Sequence, residues 1–98
     1  MKLGVFINDY QSVPETAGRL KADKLGFIFV QNGVFHATLK DSGKASSLLD
    51  KTSNLYVLAE DLATRGLNAG DVDSRVKVVT YSDVVDLIFN DYEKLAWI

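Results

Sequence analysis

Four short, almost continuously apolar runs constrain the fold of this chain more than any other feature. They are Leu3–Ile7, Phe27–Val30, Leu55–Leu58 and Val76–Thr80. A strand with one face in water alternates apolar and polar residues, whereas a parallel strand covered on both faces is apolar throughout. Stretches with helical spacing separate the runs, and strand–helix alternation favours a parallel sheet with right-handed crossovers. The pattern therefore predicts an α/β fold.

Helix signals lie in the segments between the runs. Ser12 and Glu15 fit a capping box with Pro14 in the first turn, which predicts a helix beginning at Ser12. Three further short helices are predicted at Gly33–Leu39, Ala45–Lys51 and Glu60–Arg65. Gly66 follows the last of them, in the position where glycine commonly ends a helix. Gly26 is expected where the chain turns into the second strand.

The last predicted helix runs over residues 83–90, with Ser82 as its N-cap. Its apolar side chains are expected in the core: Val84, Val85, Leu87, Ile88 and Phe89. Four aromatic residues of the apolar runs are assigned to the core as well: Phe6, Phe27, Phe29 and Tyr56. Because no repeat, linker or low-complexity tract divides the sequence, residues 1–98 are interpreted as a single domain.

The lack of cysteine excludes several classes of function. With no thiol among 98 residues, the sequence offers no disulfide framework, thiolate metal site, cysteine nucleophile or persulfide. Because the sequence has a single histidine, it cannot form a His-rich metal site or a pair of histidines that act as acid and base. The sequence also contains no glycine-rich phosphate loop and no hydrolase motif. We therefore expect a protein that is not an enzyme and that carries neither a cofactor nor a metal.

Charge and hydropathy indicate which partners to expect. Eleven Lys and Arg against thirteen Asp and Glu give a net charge of −2, without the surplus of cations that displaces phosphate counterions. Direct nucleic-acid binding is therefore not expected. No apolar run approaches the roughly 20 residues that span a bilayer, and the first run is shorter than the ~7–15 residues of a signal-peptide core. The sequence thus predicts a cytoplasmic protein without membrane contact.

Polar residues follow the predicted strands at their carboxyl ends, where open α/β sheets bind ligands. The candidate crevice residues are Asp9, Asn32, Gly33, His36, Glu60 and Asp61. We expect this edge to be short of cations, and its acids are typical of first helical turns, where they complement the helix dipole. Two alternatives remain open. The acids, with Asp83, could bind a divalent metal, and His36, expected at a helix surface or half-buried, could act as an acid or base.

Aromatic residues outside the apolar runs indicate a partner surface. Phe35 precedes the lone histidine, and the sequence closes on Leu95-Ala96-Trp97-Ile98, although terminal residues are usually polar. Contiguous exposed apolar residues commonly mark interaction sites. Phe35, Trp97 and Ile98 are therefore the candidate interface residues. The alternative is that Trp97 docks on its own domain.

Three blocks of this sequence resemble the DsrH/TusB family. They are Gln31–Ala37, Leu55–Leu67, and Val76–Leu87 with a closing Ala96-Trp97. The shared features are an Asn-Gly helix start, a strand leading into Asp-Leu-Ala-Thr-Arg-Gly, and the final Ala-Trp. The resemblance covers nearly the whole chain and is weakest in residues 40–54 and 68–75.

The resemblance implies a DsrEFH-like, three-layer α/β/α sandwich with a parallel sheet of four to five strands. It also implies a complex with DsrE/TusD-like and DsrF/TusC-like subunits that passes persulfide sulfur, either toward the wobble uridine of tRNA or into sulfur oxidation. Some relatives carry a cysteine in the helix after the first strand. Ala17–Lys21 has none here, which implies a non-catalytic docking subunit.

A second hypothesis belongs to a different class of function. It describes a free-standing α/β module that binds a small polar ligand or a divalent metal at the carboxyl-end crevice. Self-association of the chain is compatible with either hypothesis. Co-purification separates the two, because the relay hypothesis requires cysteine-bearing partners and the binding-module hypothesis does not.

Overall fold

The computed structural model describes residues 2–8, 23–38, 40–41, 44–45 and 47–97. Its main sheet contains β1 (Lys2–Ile7), β2 (Lys24–Phe29), β5 (Asn54–Leu58), β6 (Lys77–Val79) and β7 (Lys94–Trp97). These five strands are all parallel and lie in the order β6-β5-β2-β1-β7. A separate antiparallel pair is formed by β3 (Lys40–Asp41) and β4 (Lys44–Ala45). The predicted α/β fold is confirmed, and β7 adds a strand to the four apolar runs.

The described part of the chain contains three α-helices: α1 (Phe35–Thr38), α2 (Ala59–Thr64) and α3 (Tyr81–Asn90). Short 3-10 helices occupy Gln31–Val34, Ser47–Asp50 and Ala69–Asp71. Gly66 ends α2 with a φ of 70°, in the left-handed region that glycine adopts without strain. The helix predicted from Ser12 lies outside the described residues. Within the part of the chain that is described, no helix is long and apolar enough to cross a membrane.

Alternate residues of each strand point to opposite faces of the sheet, and each face has its own hydrophobic core. The first face is covered by α1 and α2, and its strand residues include Val5, Ile7, Phe27, Phe29, Leu55 and Val57. The second face, called the α3 face below, is covered by α3, and its strand residues include Phe6, Ile28, Leu58 and Val79. Because both faces of the sheet are covered, the central strands are apolar almost throughout.

Two glycines make room for an aromatic ring on the α3 face. Gly4 and Gly26 are paired side by side in β1 and β2, and the ring of Tyr92 packs over them. A Cβ at Gly26 would collide with the Tyr92 hydroxyl group. The Lys24 Nζ lies 5.1 Å from the centroid of the same ring. The predicted turn at Gly26 is therefore wrong, because this glycine lies inside a strand and is required for packing.

The start of α3 also differs from the prediction. Thr80, not Ser82, is the N-cap, because the Thr80 Oγ1 accepts a hydrogen bond from the Asp83 N–H at 3.3 Å. The Asp83 Oδ2 in turn accepts from the Thr80 N–H at 3.0 Å. This reciprocal capping box needs an acceptor side chain three residues after the cap. Ser82 has Val85 at that position, whereas Thr80 has an aspartate.

Candidate functional site

A polar network joins the carboxyl ends of β2 and β5. The Asp61 Oδ2 accepts a hydrogen bond from the Gln31 N–H at 2.7 Å. Arg65 folds back from the end of α2, so that its Nη1 donates to the Asp61 carbonyl oxygen at 3.2 Å and its Nε donates to the Asn32 Oδ1 at 3.1 Å. Gln31 has a φ of 51°, which is unusual for a residue with a side chain. Asp61 therefore helps to hold a strained turn between β2 and α1.

Glu60 extends the same edge toward β6. Its Oε2 accepts a hydrogen bond from the Tyr81 N–H at 3.3 Å, where α3 begins. Glu60 and Asp61 thus both accept backbone N–H groups, and Asp83 belongs to the capping box. Across the described ranges, no group of three or more His, Asp or Glu side chains is placed to hold a metal ion. The geometry favours a structural role for these carboxylates.

Gly33 and His36 are buried below this edge. A Cβ at Gly33 would collide with the carbonyl oxygen of Ile7, so only glycine fits there. His36 is 2% exposed, and its ring centroid lies 5.7 Å from that of Phe29. The expectation that His36 is at the surface or half-buried is wrong, because α1 packs this turn directly against the sheet. Acid or base catalysis needs an imidazole within reach of a substrate, and this geometry gives it no support.

The structure therefore brings together part of the predicted crevice. Asn32, Glu60 and Asp61 share one polar edge, while Asp9 lies outside the described residues. The prediction that this edge is short of cations missed Arg65, which lies at its centre. The signal was present in the sequence, because an acid and an arginine four residues apart on a helix commonly pair. The Arg65 Nη1 lies 3.9 Å from the Asp61 Oδ1.

Two cavities lie away from this polar edge. One, of about 310 Å³, lies between α3 and β6, and its charged lining residues are Lys77, Asp83, Asp86 and Asp91. The other, of about 490 Å³, lies beside the start of β5. Arg75 lines this second cavity, and its Nη1 is 2.9 Å from the Asp50 Oδ1. Of the predicted crevice residues that the structure describes, none lines either cavity.

Exposed apolar side chains are concentrated on the α3 face. Five large hydrophobic residues of the described chain are exposed, namely Tyr81 (59%), Val85 (48%), Phe89 (81%), Leu95 (43%) and Trp97 (64%). The first three lie on α3 at a spacing of four residues, and we call them the α3 ridge. The other two lie on β7 opposite Gly4 and Phe6, which places their side chains on the α3 face. The predicted burial of Val85 and Phe89 is wrong, because α3 turns Val84 and Ile88 toward the sheet instead.

Two of the three predicted interface residues, Trp97 and Phe35, lie in the described part of the chain. Trp97 stacks on Phe6, with ring centroids 4.4 Å apart and planes inclined by 15°. It is therefore docked on its own domain and still largely exposed. Phe35 is half-buried in α1, on the first face. Ile98, the third predicted interface residue, lies outside the described residues.

Comparison with known proteins identifies the family. The family model described as "DsrH like protein" matches residues 11–94. The chain belongs to the DsrH family. Curated relatives of this DsrH-family chain include two called Protein TusB, from Yersinia enterocolitica and Yersinia pestis. They are 34% and 33% identical to it over 79 residues, which is 81% of this chain and 81% of each relative. The family resemblance predicted from the sequence is confirmed.

A solved structure shares the fold of this DsrH-family chain. The solution NMR structure of protein Tm0979 from Thermotoga maritima matches it with a TM-score of 0.58. The match covers 90% of this chain and 93% of the other, at 21% sequence identity. At that identity the likeness concerns the fold alone.

In this DsrH-family chain, we expect Asp61→Asn to have a small effect on stability. Asparagine keeps an oxygen that can accept from the Gln31 N–H and loses the charge, whose interactions with the helix dipole and with Arg65 are together worth about 1 kcal/mol at this exposed edge. Thermal unfolding followed by circular dichroism should show a decrease in Tm of no more than about 8 °C. Asp61→Ala, which removes the acceptor, should lower Tm further. A tight Mg²⁺ or Mn²⁺ site, detected by calorimetry and abolished by Asp61→Asn, would contradict the structural role.

Proposed function

We propose that this chain is a non-catalytic, cysteine-free subunit of a cytoplasmic sulfur-relay complex. Its partners in this proposal are cysteine-bearing subunits of the DsrE/TusD and DsrF/TusC types. The observation that carries the proposal is the family match across residues 11–94 in a chain that has no cysteine. Relatives named Protein TusB favour the tRNA wobble-uridine branch of sulfur transfer over sulfur oxidation.

The chemistry of sulfur transfer defines what such a subunit can contribute. A carrier accepts sulfur when its thiolate attacks the outer sulfur of a persulfide and the donor thiolate leaves. The thioether of methionine has no ionisable S–H and cannot carry out this step. Sulfur therefore passes between cysteines of the partner subunits, and this chain binds and positions those subunits. Its net charge of −2 agrees with a role that involves no direct contact with tRNA.

Trp97 is the better supported of the two aromatic interface residues. It is 64% exposed, and stacking on Phe6 fixes the orientation of its ring, so little side-chain entropy remains to be lost on binding. Phe35 is half-buried in α1 on the other face. We therefore expect Trp97 to lie in a partner contact.

The binding-module hypothesis has less support. Its crevice would be formed by Asn32, Glu60 and Asp61, and these side chains already bond to Arg65 or to backbone N–H groups. A ligand would have to replace those hydrogen bonds, and exchanging one hydrogen bond for another provides little net free energy.

Co-expression tests the relay-subunit proposal. The chain should be produced together with the TusD-like and TusC-like proteins of the same genome, and the product sized by gel filtration with light scattering. We expect this chain to elute in a stable complex that contains a cysteine-bearing subunit. A chain that elutes alone in the presence of both proteins would contradict the proposal. Tight binding of a small ligand or metal by the chain alone would instead favour the binding module.

A further inference from the structure

We propose that β7 pairs antiparallel with β7 of a second copy of this chain, about a two-fold axis, so that the two main sheets become continuous. This contact goes beyond the proposed function, because it joins two identical chains and requires no relay subunit. Three features of the molecule support it: the position of β7, the direction of its main-chain groups and the side chains that the pairing brings together.

β7 forms one edge of the main sheet and, within the described part of the chain, pairs with β1 only. Edge strands present unpaired main-chain groups, and proteins usually protect them with charged side chains or proline. β7 carries a charge only at its first residue, Lys94, and continues as Leu95-Ala96-Trp97. The opposite edge strand, β6, offers less apolar surface because its valines are half-buried or buried, whereas Leu95 and Trp97 are 43% and 64% exposed.

The hydrogen bonds of β1 show which of its residues face β7. Main-chain groups of successive strand residues point to opposite sides of the strand. The Ile7 carbonyl oxygen accepts from the Val30 N–H at 3.0 Å on the β2 side, and the Lys2 carbonyl oxygen accepts from the Glu93 N–H at 2.9 Å on the β7 side. Gly4, like the other even-numbered residues of β1, therefore directs its main-chain groups toward β7.

The main-chain groups of Leu95 and Trp97 consequently point to the open side of β7. In a parallel ladder, a residue bonds to the two neighbours of the residue opposite it. Gly4 lies opposite Leu95, so it bonds to Lys94 and Ala96. Leu95 and Trp97 alternate with these two residues, and their N–H and C=O groups are directed outward, where a further strand can pair.

A two-fold axis beside Ala96 gives a register that fits both the main chain and the side chains. Each Leu95 then lies opposite Trp97 of the second copy, and each such pair exchanges both of its N–H···O bonds. The same pairs bring the exposed apolar side chains of the two strands together on the α3 face. With the axis beside Leu95 instead, Trp97 would lie opposite Glu93, whose N–H already bonds to β1.

This contact is self-complementary, which favours a second copy over an unrelated strand, because both halves of a two-fold interface are the same surface. Charge neither drives nor opposes it. Lys94 of one copy lies about 13 Å along the strands from Lys94 of the other, beyond the Debye length of ~8 Å at physiological salt. Lys2, Lys24 and Glu93 lie farther from the axis than Lys94 does.

The size of the contact predicts a weak dimer. Trp97 can bury about 150–250 Å² at most, so with Leu95 and the main chain each copy buries less than the ~800 Å² of a standard interface. We expect a Kd of roughly 10–100 µM, measured by sedimentation equilibrium of the chain alone up to about 1 mM.

Leu95→Glu tests the side chains of this contact. The carboxylate would have to leave water to pack against Trp97 of the second copy, so Kd should increase at least about tenfold. Because Leu95 is 43% exposed, the change should leave the fold intact, which circular dichroism verifies. Ala63→Glu is the matched control, since it places the same side chain at an exposed position of α2, directly after β5, and should change Kd by less than about twofold.

Ala96→Cys tests the register, because the chain has no other thiol. Opposite residues that share no hydrogen bond have Cα atoms about 4.5 Å apart, which a disulfide can bridge. Incubation with oxidised glutathione should therefore give a covalent dimer on a non-reducing gel. Leu95→Cys is the control, since its two copies would be offset by two residues, with Cα atoms about 8 Å apart, too far for a disulfide.

A wild-type chain that stays monomeric at about 1 mM, as it would if β7 pairs only with another protein, overturns the pairing of two β7 edges. A dimer that Leu95→Glu leaves unchanged overturns it as well, and so does a Leu95→Cys protein that cross-links as readily as Ala96→Cys. The relay-subunit proposal stands in each of these cases, because co-expression with the other subunits tests it separately.

Discussion

Gly33→Ala should unfold this protein or lower its free energy of unfolding by about 3 kcal/mol or more. The reason is steric, because the added Cβ would collide with the carbonyl oxygen of Ile7 at the end of β1. That oxygen belongs to the backbone and also accepts a hydrogen bond from the Val30 N–H at 3.0 Å. It cannot move without breaking the contact between the ends of β1 and β2. Urea denaturation followed by circular dichroism measures the loss.

Gly66→Ala is the control for this prediction. Gly66 has a φ of 70°, and apart from its chain neighbours no atom of the described residues lies within 4 Å of the position that a Cβ would take. Alanine at this position should lower the free energy of unfolding by about 1–2 kcal/mol, which is the cost of a left-handed backbone conformation for a residue with a Cβ. Gly33→Ala should therefore be the more destabilising of the two variants. If Gly33→Ala unfolds at the same urea concentration as wild type, the close approach of the 3-10 turn to β1 is wrong.

Gly26→Ala should lower the free energy of unfolding by about 2–3 kcal/mol, because the new Cβ would displace the ring of Tyr92 from the sheet. Tyr92 is buried, and its hydroxyl group has no hydrogen-bond partner of normal geometry within the described part of the chain. Burial raises the pKa of this hydroxyl, and the neighbouring Tyr56 raises it further. Tyr92→Phe removes an unsatisfied polar group and should be neutral or slightly stabilising.

A double-mutant cycle tests the contact between these two residues. In Gly26→Ala/Tyr92→Phe the colliding hydroxyl is absent, so part of the lost stability should return. Recovery should be incomplete, because the Tyr92 Cζ would still lie 2.5 Å from the new Cβ. We expect a coupling energy of about 0.5–3 kcal/mol, obtained from urea denaturation of the four proteins. Strictly additive effects of the two substitutions would contradict the proposed packing of Tyr92 over Gly26.

The sequence predicted the central strands well because both of their faces are buried. Val5, Phe27 and Val57 belong to runs in which nearly every side chain enters one of the two cores. The edge strand β7 was not predicted as a strand, since three of its four residues are exposed and the rule for buried strands does not apply to it. Burial on α3 was also mispredicted, because helical spacing identifies an apolar stripe but does not say which stripe meets the sheet.

The candidate site could be predicted in position but not in geometry. Asn32, Glu60 and Asp61 follow strands directly, so their place at one edge of the sheet follows from the topology. The burial of His36 depends on how α1 packs against Phe29, a contact between residues seven positions apart that no local pattern encodes. The direction of Arg65 likewise depends on Asn32, which is 33 residues away in sequence.

The sharpest test of the relay-subunit proposal is native mass spectrometry of the co-expressed subunits after incubation with a cysteine desulfurase and cysteine. A persulfide adds about 32 Da to the cysteine that carries it. We predict a complex that contains this chain at its unchanged mass, while a cysteine-bearing partner gains one or more sulfur atoms. A chain that remains monomeric beside its partners, or that itself gains about 32 Da, would contradict the proposal.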